Sequence, residues 1–185
     1  MIESRDLTLI VCLAVLGFVI SASIVQMAHL LTGIPGVTYF FTILLSLQTS
    51  LSLLIYEGRR WRFLSQITLY TFLIIPTPIG GVAFDLFSKI QMIANAFFVD
   101  TIFNSVYGTF KKKDKLRLWA ILSAVVFRVM NPSFGLMIKP FFFPPEFAFR
   151  ILNILYWIVP VIAVESIAGG YLGHKIFIRL KDLLS

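Results

Sequence analysis

Residues 82–138 read VAFDLFSKIQMIANAFFVDTIFNSVYGTF-KKKDKLR-LWAILSAVVFRVMNPSFGLMI, two apolar runs joined at Lys111–Arg117 by five basic residues and one acid. A bilayer span takes about 20 predominantly apolar residues. Each run meets that length, so the stretch reads as a helical hairpin crossing a membrane twice, its basic turn on one side. The rest of the chain repeats the pattern. Apolar runs at 7–31, 37–56, 63–75 and 149–180 join those at 82–110 and 118–138. The 185 residues are 58% hydrophobic and only 14% charged, with a mean hydropathy of +0.91. Soluble domains run at roughly 45–50% apolar and about 25% charged. The composition therefore excludes an ordinary soluble globule and leaves no length for a soluble catalytic domain.

The charges then orient the chain. With the N-terminus cytoplasmic, six spans bring residues 57–62, 111–117 and the C-terminus to the same side. Those segments and Arg5 hold twelve of the sixteen basic residues: Arg5, Arg59, Arg60, Arg62, Lys111, Lys112, Lys113, Lys115, Arg117, Lys175, Arg179 and Lys181. The opposite turns at 32–36 and 76–81 hold none, and 139–148 holds only Lys139. Lysine and arginine in short loops mark the cytoplasmic face. The expected fold is thus all-α and polytopic, a single domain over 1–185 with six transmembrane helices and both termini cytoplasmic in the cell membrane. The net charge of +7 reads as orientation rather than as nucleic-acid binding. The first segment is too long for the apolar core of a cleaved signal peptide, and Glu3 and Asp6 cancel its leading charge. The single cysteine, Cys12, excludes an intrachain disulfide framework.

Ionisable residues at membrane depth are costly and are usually paired or functional. Counting back from the cytoplasmic ends at 1.5 Å per residue puts Asp100, Arg128 and Glu165 roughly 14–17 Å in, close to the midplane. These three are expected to form one buried charged network. Asp85 and Lys89, four apart, share a helix face. Pro132 removes the donor for the carbonyl of Arg128, so the fifth span is expected to unwind beyond Asn131. Pro160 does the same for Tyr156, near Asn153 and Trp157. Thr42, Ser46, Thr49 and Ser50 form a polar stripe on the second span, with Gln48 and Ser52 nearby, and should face the bundle interior. Gly17-xxx-Ser21 and Gly169-xxx-Gly173 permit close helix approach, within the bundle or against a partner. The aromatic, proline-rich segment 139–147 reads as an interfacial anchor or as a lid. His29 and His174 read as interfacial residues, and no metal site is expected. No hydrolase, metalloprotease or phosphate-loop motif is present, so neither catalytic residues nor a cofactor is expected and the chain does not read as an enzyme.

Six spans in this length, a basic inner face, the Pro76–Gly81 turn into Val82-Ala83-Phe84-Asp85, and the glycine-rich end Glu165–Lys175 (ESIAGGYLGHK) resemble the substrate-binding S component of an energy-coupling factor vitamin transporter. Where that family often carries Ala-x-x-x-Ala in its first helix, this chain has Gly17-xxx-Ser21. The resemblance implies a subunit that captures a small water-soluble nutrient, a vitamin or precursor, from outside. It also implies partners, a transmembrane coupling subunit and two ABC-type ATPases, that supply the energy. On this reading the ligand contacts are Lys89, Asn95, Asn131, Asn153 and Trp157, where polar residues gather at the helix breaks, supported by Asp100, Arg128 and Glu165. Two other classes stand beside it. One is a non-transporting integral membrane assembly or structural protein. The other is a small ion- or proton-coupled carrier using the three ionisable residues as a relay.

Overall fold

The computed structural model describes residues 4–25, 27, 41–79, 83, 84, 86–138 and 145–184. Over these residues the chain is all-α, with six helices and no strand: α1 (Ser4–Ile20, continued by a π-helical turn at Ser21–Val25), α2 (Thr42–Tyr56), α3 (Arg62–Ile74), α4 (Leu86–Lys112), α5 (Leu116–Ile138) and α6 (Pro145–Leu184). Each helix coincides with one of the apolar runs. The segment 139–144, Asp85 and His29 lie outside the described residues, whereas Pro145, Glu146 and Phe147 form the first turn of α6.

Side-chain contacts fix the helix directions. Asp6 on α1 meets Arg59 and Arg62, while Gln48 on α2 donates to the Leu13 carbonyl at 2.6 Å. Position 6 thus lies opposite 59 and position 13 opposite 48, which makes α1 and α2 antiparallel. Trp119 Nε1 reaches the Phe103 carbonyl at 3.0 Å, and Asn95 reaches the Phe127 carbonyl at 2.6 Å. Hence α4 and α5 are antiparallel too. By contrast α2 and α6 are parallel: Thr42 bonds Glu165 and Ser46 bonds Ser166, while Gly173 packs on Ser50 further along both helices. This is the relation that strict up-and-down alternation requires between a second and a sixth helix.

The parallel α2–α6 seam depends on missing side chains. A methyl group at Gly169 would collide with the Ile43 carbonyl, and one at Gly173 with Ser50 Oγ. The Gly169-xxx-Gly173 pattern therefore serves packing within the chain. Gly17 likewise backs directly onto the Gln48 amide.

The apolar core sits towards the basic end. Trp119 is fully buried there against Phe103 and Tyr107, with Tyr107 edge-on at 5.1 Å, and Phe63 meets Phe127 edge-on at 5.2 Å. The α2–α3 turn is compressed onto this core. Gly58 takes φ +78°, and a Cβ there would strike the Tyr107 ring, so both its conformation and its contact call for glycine.

Outside this core the usual distribution is reversed. Ser46, Ser50, Ser52, Gln66, Lys89, Asn95, Asp100, Ser123 and Ser166 are buried, while Leu7, Val11, Val15, Val19, Phe97, Ile102, Val164, Ile167 and Ile176 are exposed. Among the described residues two helices are long and apolar enough to cross a membrane, Ser4–Ser23 and Trp157–Asp182.

The expected break in α5 is absent, since the helix runs through Pro132 to Ile138. One missing amide costs a helix a single hydrogen bond, and the helix absorbs it. The sixth helix similarly continues through Pro160.

Candidate functional site

Three ionisable side chains expected to form one network are separated by the fold, each with a different task. Asp100 on α4 accepts the backbone N–H of Trp61 (3.0 Å) and of Leu64 (2.8 Å), and the Asn104 amide (2.6 Å). The first turn of a helix presents amides with no intrahelical acceptor and carries the positive end of the dipole. Asp100 satisfies both demands at the start of α3, where Trp61 itself supplies no side-chain cap. Glu165 on α6 does the same for α2, accepting Thr42 Oγ1 at 2.6 Å and the Ile43 N–H at 3.1 Å. Both carboxylates are thus helix caps delivered from a neighbouring helix.

Lys89 completes the arrangement. Its side chain is fully buried, and Nζ donates to the carbonyls of Ile75 and Thr77, both at 2.9 Å. Ile75 is the C-terminal cap of α3, so a cation faces the negative end of that helix dipole. Lys89 therefore fastens a helix end in this structure.

Arg128 is left over. Its Nη2 donates to the Leu45 carbonyl at 2.6 Å and to Thr49 Oγ1 at 2.9 Å, both on α2. Its guanidinium lies 5.1 Å from the Phe127 ring centre, and Nε is buried without a hydrogen-bond partner. Among the described residues the ion pairs are those of Asp6, and none involves Arg128. The Tyr70 hydroxyl, 2.9 Å from Ser21 Oγ, lies within electrostatic reach of Arg128.

At the same level along the bundle the α4–α5 seam carries acceptors. Asn95 pairs with Phe127, so in antiparallel register Gln91, one turn earlier on α4, stands level with Asn131, one turn later on α5. The side-chain oxygens of Gln91, Asn95 and Asn131 are buried and lack hydrogen-bond partners. Helical spacing puts Gln91 on the face of Asn95, and Asn131 on that of Arg128. The carbonyl of Arg128 has also lost its helical donor, because residue 132 is proline. This interior belt, Gln91, Asn95, Arg128 and Asn131 with Thr49 and Tyr70 beside it, is the candidate site. It offers one cationic donor and several acceptors, a set suited to binding.

Of the sequence-derived residues, the belt brings together Asn95, Asn131 and Arg128. Trp157 is 77% exposed on α6. Asn153 lies on α6, and its side chain is outside the described residues. Gln91 and Tyr70 were missed. Gln91 was findable as the polar residue four before Asn95, but Tyr70, in a short apolar span, gave no signal.

A second omission is Asp6. It is fully buried and accepts Arg59 Nη1 at 2.6 Å and Arg62 Nη2 at 2.8 Å. In the sequence it looks like a solvated terminal charge. Its place opposite the basic 57–62 turn follows only from packing α1 against that turn. His174 is half-buried at the basic end, in the field of Arg117 and Asp114, and among the described residues no cluster of metal-ligating side chains occurs.

No family model, no curated protein and no solved structure matches this chain.

Proposed function

We propose that the chain is a six-span membrane protein that captures a small water-soluble nutrient in its interior polar belt. The single observation carrying this reading is the belt itself. One buried atom of each, Gln91 Oε1, Asn95 Oδ1, Arg128 Nε and Asn131 Oδ1, has no hydrogen-bond partner, and they sit inside a bundle whose outer faces are apolar. Buried polar atoms normally find partners, so a cluster of unfilled ones inside an apolar shell is a place for a ligand or ordered water. The apolar exterior supports six membrane-crossing helices, and the alternating helix directions support the same topology. The basic end, with Arg59, Arg60, Lys111–Lys113 and Lys115, is the cytoplasmic one by the positive-inside rule. Both termini are then cytoplasmic.

The chain supplies no phosphate-binding loop, so energised uptake rests on partners: a coupling subunit and two ATPases, as in the S components it resembles. The relay reading, in which Asp100, Arg128 and Glu165 pass a proton or ion, has less support because two of the three are committed to different helix starts. The assembly-factor reading accounts for the caps, but leaves the belt unexplained.

Affinity purification from the native membrane tests the proposal. A coupling subunit and an ATPase pair in the eluate support it. A chain that purifies alone, from cells whose membranes do contain such ATPases, contradicts the partner assignment.

A further inference from the structure

Resting on the capture reading, the inference concerns what kind of molecule the belt takes. Arg128 is a permanent cation whose guanidinium is held inside the bundle by two neutral acceptors, the Leu45 carbonyl and Thr49 Oγ1. The two acids expected to balance it are engaged elsewhere, Asp100 with the first turn of α3 and Glu165 with the first turn of α2. Nor does any other carboxylate form an ion pair with it among the described residues. An interior guanidinium without a counterion is costly, and its buried Nε still lacks an acceptor. Lys89, a fully buried cation on α4, already faces the carbonyls ending α3. Arg128 is therefore the cation in this interior whose charge faces neither a carboxylate nor a helix end among the described residues.

We infer that the ligand supplies the counterion: the belt binds a small monocarboxylate, its carboxylate on Arg128 and its N–H or O–H donors on the side-chain oxygens of Gln91, Asn95 and Asn131. The guanidinium edge suits a planar carboxylate. A single uncompensated cation favours a monoanion over a doubly charged phosphate monoester. The three orphaned oxygens select for a ligand that carries donors as well as the carboxylate.

The test uses 4-aminobenzoate and 4-aminobenzamide, which share a ring and an amine and differ in charge at one end. Thermal melting of the detergent-purified full-length chain reads binding. Protection by the acid, with an apparent affinity at least tenfold above that of the amide, supports the inference, provided Arg128→Gln removes the difference. Because Arg128→Gln risks misfolding, Asn131→Asp is the second variant. It places a carboxylate one turn from Arg128, and should raise the melting temperature with no ligand present while abolishing protection by the acid. Equal protection by acid and amide overturns the inference and leaves the capture reading standing. So does an Asn131→Asp protein that melts no higher than wild type. Protection by neither probe, in a chain that also retains no small molecule on mild extraction, overturns both.

Discussion

Asp100 and Lys89 stand about 16 Å apart along α4, and they hold the two ends of the same neighbouring helix. Asp100 receives the amides that open α3, and Lys89 donates to the carbonyls that close it. The 13 residues of α3 span about 18 Å, so the spacing of the two charges on α4 matches the length of the helix they bracket. Each sign also opposes the local dipole charge. The short third helix is thereby fixed in register against α4, and Tyr70 with it, at the level of the belt.

Removing one end of this bracket should be costly. Asp100→Ala takes the acceptor from two backbone amides in the first turn of α3 and the nearer of two acceptors from the Asn104 amide. The expected loss is about 2–4 kcal/mol, read as a lower midpoint in chemical or thermal unfolding. Asp100→Asn should lose less, since the amide oxygen still accepts. Equal losses for the two variants would contradict the capping role.

At the same end of the bundle, on the α2–α3 turn, the buried Asp6 and its two arginines make an asymmetric triad. Asp6→Ala leaves two cations at the α2–α3 turn without their acceptor and should cost about 3 kcal/mol. Arg59→Gln, at a side chain 39% exposed, should cost less than about 1 kcal/mol. Unfolding midpoints of the two variants check the order.

The α2–α6 seam makes a steric prediction. Gly173→Leu drives a side chain into Ser50 and the Leu47 carbonyl, and overpacking of this kind costs about 1–3 kcal/mol or more. Pairing it with Ser50→Ala should return only part of the loss, because the Leu47 carbonyl cannot move away. Gly108, with open space around it, is the control: Gly108→Ala should leave the midpoint unchanged or raise it.

Topology is open to chemical labelling because the chain has one cysteine. In a Cys12→Ser background, a cysteine at Asp114 should react with a membrane-impermeant maleimide only after the cells are opened. One at Thr77 should react in intact cells. The reverse pattern would invert the assigned orientation.

Helix number and alternation were legible because both follow from one-dimensional quantities, the lengths of apolar runs and the parity of basic turns. The burial of Asp100 was legible from its place in an apolar run, but its partner was not. Counting from the end of α4 does not reveal that α3 begins beside residue 100, well above the last turn of α4. Once that start is placed, the carboxylate meets amides before it meets Arg128. The Thr42–Ser50 stripe shows the same limit: its inward direction was readable, but not that Ser46 answers to α6 and Thr49 to Arg128. Pro132 misled because a missing donor was equated with a broken helix. Its consequence is the bare carbonyl of Arg128, within a helix that continues.

The most direct test of the central claim is native mass spectrometry of the full-length chain released from mild detergent. A bound small molecule should appear on the wild-type chain and vanish from Asn131→Leu, a variant that fills the belt with methyl groups while Asp100 and Lys89 still bracket α3. A wild-type chain that flies free of any small molecule, or an adduct that persists unchanged on Asn131→Leu, would contradict an interior binding site.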